Sequence, residues 1–334
     1  MDSYYNKEVS NCYFCQSDNF IEHSKATYWK IIELNFFECK NCGLIFANPM
    51  PSLDIIIKGN KALNVLHTSR GTFSQYKGGK EFTFVLKKIC RKGTLLDVGC
   101  AEGLFLKGIE DFSEWKAEGI DVIESAVTFS NNRLGVKVYF GVLESMKNPD
   151  NTYDYIRMNN VIEHVQNPVS FIKKANSLLK NGGIVYISTP NGIQDGAVLK
   201  TANKQGTIIN LLENHFFYYK PKTLKNILKS CGFRIIKSYC EDIKHSIKDF
   251  GLFPWIKIRD SNEKYSLNDY TEKENTDFQI SDDEINNMKY DKSLNSKKLL
   301  FNLYFNRFFK IKIPSVIPIG HQQVAVAEKI KEVK

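Results

Sequence analysis

From Thr94 onward the chain alternates short apolar runs with amphipathic stretches, and this pattern limits the fold more than any other feature. Thr94–Val98 reads as a buried strand, followed by the turn Gly99-Cys100-Ala101-Glu102-Gly103 and a helix through Ile109. Further strands are expected at Ala117–Asp121, Val136–Phe140, Tyr153–Met158, Ile184–Ser188, Phe233–Tyr239 and Gln322–Glu328. Helices fill 124–132, 168–179 and 221–230 between them. Wholly apolar strands separated by helices need crossovers that cover both sheet faces. The expected architecture is α/β: a Rossmann-like, seven-stranded, mostly parallel sheet with helices on both faces.

The cysteines point to a second unit. Cys12 and Cys15 form one C-x2-C pair, and Cys39 and Cys42 form another after a 23-residue spacer. Two such pairs offer four thiolates, the tetrahedral set that suits Zn²⁺. A closed four-sulfur site leaves no position for a substrate, so the expected role is structural. The spacer, rich in Trp, Ile and Phe from Tyr28 to Phe37, reads as a hairpin. Cys90, Cys100, Cys231 and Cys240 lack paired spacing and read as core residues.

Asn48-Pro49-Met50-Pro51 ends the cysteine unit, because two prolines in four residues stop regular structure. The expected organisation is a zinc-ribbon-like module over 1–51, a helical connector over 52–92 broken at Gly71 and Gly78-Gly79, and a catalytic domain over 93–334. An insert at about 241–314 interrupts the last strand pair. Its residues 260–284 carry nine acids against two bases, and 289–312 carry seven bases against one acid. The basic half, with Leu299, Leu300, Leu303, Tyr304, Phe308 and Phe309, reads as a lid over the sheet; a membrane-surface helix is the competing reading.

With 43% hydrophobic and 25% charged residues, a packed core is expected and disorder of the whole chain is excluded. No run approaches the roughly 18 apolar residues of a membrane span. The start, MDSYYNKEVSNC, shows no basic segment leading into an apolar one, so a cytoplasmic location is expected.

The turn after the first catalytic-domain strand carries the chemistry. Glycine at a strand's carboxyl end lets the backbone approach a ligand where open α/β sheets bind cofactors. Asp121 ends the next strand, 18 residues after Gly103, where an acid accepts from ribose hydroxyls. Dinucleotide enzymes keep a third glycine at this turn; here the run contains only Gly99 and Gly103.

The ordered set LLDVGCAEG, GIDVIESAV, GVLESMKNPDNTYDYI, NNVIEHVQNP, NGGIVYISTPN and ENHFFYYKPKTLKNILKSCGF resembles the class I S-adenosylmethionine-dependent methyltransferases, the subgroup holding quinone-pathway O-methyltransferases and many sugar and natural-product enzymes. The cysteine module followed by CGLIFANPMPS resembles a zinc-ribbon extension found before some of them. The resemblance implies that Gly99, Cys100, Ala101 and Gly103 hold the methionine part of the cofactor, with Asp97 beneath. It places Asp121 on the ribose, Val122 on adenine, Leu143 and Glu144 at the adenine edge, and Asn160 near the sulfonium. Val142 stands where relatives often have an acid.

Methyl transfer depends on in-line alignment, and a hydroxyl acceptor gains from losing its proton to a base. His164, after the fourth strand, and His215, in the segment that walls the acceptor pocket in this family, are the two candidates. Quinone-pathway relatives hold Mg²⁺ with an E-x2-E-H run. Here Asn160, Glu163 and His164 fill it, and the missing carboxylate weakens a hard-cation site. The expected activity is O-methylation of a small hydroxylated metabolite, such as a sugar, glycan or lipid-linked intermediate. Sugar or natural-product C- or N-methylation and RNA methylation are the alternatives. The net charge of +9 superficially favours RNA, but residues 1–60 carry five bases and seven acids, so the ribbon is no basic platform.

Overall fold

The computed structural model describes residues 4–67, 72–147, 149–241, 313–314 and 321–333. The acidic and basic stretches of the insert, with the lid-like segment, lie outside the described residues.

The N-terminal unit is a hairpin of β1 (Phe20–Tyr28) and β2 (Ile32–Cys39), followed by β3 (Ile45–Ala47). The sequence reading placed Tyr28 inside the hairpin's apolar spacer. In the fold it ends a strand, and the turn falls on Trp29 and Lys30, both at positive φ. Two helices follow, α1 (Leu53–His67) and α2 (Thr72–Leu86). The expected break at Gly78-Gly79 does not occur. A Cβ on Gly79 would lie 2.0 Å from the Phe105 carbonyl oxygen, and one on Gly108 would lie 2.1 Å from that of Tyr76. The glycines let two helices touch backbone to backbone instead of ending one.

The catalytic-domain elements are β4 (Thr94–Val98), α3 (Leu104–Glu110), β5 (Lys116–Asp121), α4 (Glu124–Phe129), β6 (Lys137–Phe140), β7 (Tyr153–Asn159), α5 (Pro168–Leu178) and β8 (Leu179–Pro190). They continue with α6 (Gly192–Lys204), β9 (Ile209–Leu211), β10 (Phe217–Tyr218), α7 (Pro221–Ser230), β11 (Phe233–Glu241), β12 (Ile313–Pro314) and β13 (Gln322–Lys329). Local chemistry sets the helix starts. Asn167 caps α5 by accepting from the Val169 and Ser170 N–H groups, and Pro168 supplies the fixed φ of the first helical position.

The main sheet runs β12-β11-β13-β8-β7-β4-β5-β6. Pairs from β8 to β6 are parallel, and β13 lies antiparallel between β8 and β11. The seven expected strands are present, and the two-residue β12 extends the edge. Strand order reverses between β4 and β7, and their carboxyl ends open a crevice there.

A second sheet, β10-β3-β2-β1-β9, joins the hairpin to two strands from the segment between β8 and α7. Trp29, Phe36 and Phe46 share one apolar core with Phe216, Phe217 and Tyr219. The hairpin is packed and hydrogen-bonded into the rest of the chain.

Candidate active site

The crevice becomes a cavity of about 620 Å³, within the range of small-molecule sites. One wall is the turn after β4. Gly99 sits at φ 69°, and a Cβ there would lie 2.7 Å from a Val161 methyl, so the turn accepts only glycine without a shift. Asp121 ties this turn to β5. One carboxylate oxygen accepts from the Ala101 N–H at 2.8 Å and the other from the Ile123 N–H at 3.0 Å. Burial raises its carboxyl above the usual range, while the backbone donors pull the other way.

Of the residues expected to hold cofactor, Gly99, Ala101, Asp121, Val122, Leu143, Glu144 and Asn160 line the cavity, as does His164. Three others do not. Asp97 is buried beneath the turn, held by both oxygens to Arg157 Nη1 at 2.7 and 2.9 Å. Cys100 turns into the core, where its sulfur fills the space above Gly119. Gly103 faces Ser130 and Val136, where it lets a helix pack closely.

The lining also contains residues the sequence reading did not single out. Glu102 and Ile123 are among them, beside Val142, the position where relatives often have an acid. Leu53, Ile56, Ile57 and Asn60 of α1 also line the cavity, with Val165, Gln166 and Phe171. The spacing of the four α1 residues is one helical face and was a readable signal. They were assigned to a connector because nothing local shows that this face covers a cavity.

His164 and His215 come together, with ring centroids 5.2 Å apart, but only His164 lines the cavity. The His164 Nδ1–H donates to the Asn214 carbonyl at 2.6 Å, leaving Nε2 as the lone-pair nitrogen. His215 Nε2 lies 3.2 Å from Glu213. Burial pushes the imidazoles down, His164 to about 3 and His215 to about 4, so both are neutral at pH 7. Glu163 is buried beside them. Thr189 donates to its Oε2 at 2.9 Å, while Oε1 has no partner among the described residues and lies 4.0 Å from His164 Nε2. Burial lifts its carboxyl to about 8. Donor atoms of Glu163, His164 and His215 all lie within 4.8 Å of one another, a grouping able to accept an ion. Asn160 supplies no second carboxylate, and two imidazoles with one acid suit a borderline ion better than Mg²⁺.

The second metal-capable group is Cys12, Cys15, Cys39 and Cys42. Cys12 and Cys42 sulfurs are 3.6 Å apart, and those of Cys15 and Cys39 are 3.4 Å apart. Metal–sulfur bonds of about 2.3 Å in a tetrahedron require roughly 3.8 Å between sulfurs, so the donors are close to ligating geometry. A hydrogen bond from the Cys42 thiol holds Cys12 down near 5, aided by backbone N–H groups, which favours the thiolate.

Residues 72–238 match the family model described as a methyltransferase domain. The chain belongs to that family. It is a class I S-adenosylmethionine-dependent methyltransferase, with the cofactor crevice at the expected strand reversal. The methyltransferase is 26% identical over 163 residues to the ubiquinone biosynthesis O-methyltransferase of Coxiella burnetii, covering 46% of this chain and 69% of the relative. It is 27% identical over 177 residues to the protein of the same name from Rickettsia canadensis, covering 51% and 72%. Among solved structures it is similar to a SAM-dependent methyltransferase from Thermotoga maritima, with TM-score 0.47 and 14% identity over 80% of this chain and 97% of that one. No helix among the described residues is long and apolar enough to cross a membrane.

Proposed function

We propose that this methyltransferase transfers a methyl group to a hydroxyl of a small, uncharged metabolite with an apolar body. One observation carries the reading. The residues lining the cavity include Leu53, Ile56, Ile57, Val165 and Phe171 together with His164. No lysine or arginine is among the described residues lining it. This supports a phenol-like ring or a weakly polar sugar derivative over a phosphate-bearing acceptor. The names of the Coxiella and Rickettsia relatives agree with O-methylation.

Bound S-adenosylmethionine supplies an electrophilic methyl group on a sulfonium. Asp121 takes the ribose hydroxyls while its backbone bonds keep the Gly99–Gly103 turn in shape. Val122 would pack on the adenine, with Leu143 and Glu144 bordering its edge. Asn160, at φ 55°, brings its backbone against the methionine end. His164 takes the acceptor proton at Nε2, with the Glu163 carboxyl, largely neutral at pH 7, packed beside it. His215 packs behind His164 and holds the loop. The four N-terminal cysteines are read as ligands of a structural zinc ion.

The test is methyl transfer from labelled S-adenosylmethionine to fractionated metabolites. Label is expected in neutral hydroxylated fractions as an ether. Label confined to RNA, or in N- or C-linked methyl groups, overturns the reading.

A further inference from the structure

The N-terminal hairpin reaches the candidate base through two residues. Tyr28, the last residue of β1, is fully buried. Its hydroxyl donates to Asn214 Oδ1. Asn214 Nδ2 in turn donates to the Ile56 carbonyl at 3.1 Å and to Asn60 Oδ1, both on α1. The main-chain carbonyl of the same Asn214 accepts the His164 Nδ1–H. One asparagine thus has its side chain clamped by the hairpin and by the pocket's roof, while its backbone fixes the imidazole.

The local sequence is fitted to this contact. A Cβ on Gly59 would lie 1.5 Å from the Tyr28 hydroxyl and 2.8 Å from Asn214 Oδ1. Any other residue there displaces the hydroxyl. The Tyr28 ring packs edge-on against Phe216, at 5.5 Å between centroids. The Phe216 N–H donates to the Glu163 carbonyl at 3.0 Å. Both members of the Glu163–His164 pair are therefore braced from the hairpin side.

The consequence is tautomeric. An imidazole whose Nδ1–H has a fixed acceptor keeps its lone pair on Nε2; without that acceptor the proton can sit on either nitrogen. We propose that Tyr28 is a positioning residue for His164, acting through Asn214, so that the cysteine-bearing hairpin forms part of the apparatus that aims the base. The proposal rests on the reading of His164 as that base.

The deciding measurement is ¹H–¹⁵N NMR of the full chain labelled at histidine, with the His164 signal assigned by its loss in His164→Gln. The wild type is expected to show the Nδ1–H tautomer alone. Tyr28→Phe keeps the ring and removes the hydroxyl, and is expected to shift His164 to a mixture of tautomers. Tyr5→Phe is the control, since that hydroxyl donates to the Glu33 carbonyl in the same unit; it should leave the signal unmoved. With catechol as probe acceptor, Tyr28→Phe is expected to lower kcat at least fivefold at unchanged affinity for S-adenosylmethionine, and to cause no further loss in a His164→Gln background. If Tyr28→Phe fails to fold, Asn60→Ala releases Asn214 from the other side and carries the same expectation for the tautomer. A His164 tautomer unchanged in the folded variant overturns the proposal. Full activity of His164→Gln overturns the base assignment instead, whatever the spectrum shows.

Discussion

Arg157 sets one guanidinium nitrogen against both carboxylate oxygens of Asp97, at 2.7 and 2.9 Å, beneath the cofactor turn. The Arg157 guanidinium also lies 3.9 Å from the Phe105 ring centroid. Asp97 is 1% exposed, and burial raises its carboxyl despite the cation beside it. Removing one partner from such a pair leaves an uncompensated buried group, which costs about 3–5 kcal/mol. Arg157→Met is therefore expected to lower stability by about that amount at pH 7 in urea melts. The double variant with Asp97→Asn should recover much of it. A single variant as stable as the wild type would show that the pair carries no such weight.

Asp121 is expected to govern cofactor affinity. Asp121→Ala removes the carboxylate proposed to accept from the ribose and frees the Ala101 and Ile123 N–H groups. Calorimetry should show S-adenosylmethionine bound at least tenfold more weakly, a change of about 1.4 kcal/mol. Asp121→Asn keeps one acceptor oxygen and should fall between. Unchanged affinity in both would place the cofactor elsewhere.

Helix α2 tolerates no side chain where it crosses α3. Gly79→Ala or Gly108→Ala places a methyl group about 2 Å from a backbone oxygen, which only movement of a helix can relieve. Each substitution is expected to destabilise by at least about 2 kcal/mol, within the range for overpacked cores. Thermal melts decide it. An unchanged midpoint would mean the helices can part freely.

The buried histidines should make the protein acid-labile. Their folded values, about 3 for His164 and about 4 for His215, lie below the ordinary 6.5. The unfolded chain thus binds more protons between pH 6.5 and those values. The stability that these two groups contribute is complete above pH 6.5 and falls as pH drops, by up to roughly 1.4 kcal/mol per pH unit for each group while it remains neutral in the fold. Glu163 gives an opposite slope, since its value of about 8 adds stability as pH falls toward 4.5. His215→Gln should flatten the dependence of melting temperature on pH between 6.5 and 4. A slope equal to the wild type's would assign the lability to other groups.

Disruption of the four-cysteine cluster is expected to be felt at a distance. Cys39 follows directly on Glu38, whose carboxylate pairs with Lys220 just ahead of α7. Cys39→Ser, or prolonged chelation, should lower both melting temperature and turnover. A variant with full turnover would separate the cysteine cluster from catalysis.

The main sheet was legible because its information is local: apolar runs of strand length, and glycine where the backbone must turn. Gly99 and Asp121, at positions that strand order alone specifies, both line the crevice. The α1 lining was not legible in the same way. Leu53, Ile56, Ile57 and Asn60 show a helical face, but what that face covers depends on a long-range docking. Cys100 and Gly103 lie in the same turn but sit against Gly119 and Ser130 instead of lining the cavity. Gly78-Gly79 read as a break because an isolated helix pays for glycine in entropy; the compensating contact with Gly108 lies far along the chain.

The sheet that joins β1 to β9 and β3 to β10 pairs residues near 26 with residues near 209, and residue 46 with 217. A deletion of the first 51 residues would strip the partners from both strands and leave bare amide edges beside the acceptor pocket. The hairpin is thus no detachable cassette. Grafting it onto another enzyme would require transplanting the 205–219 stretch as well.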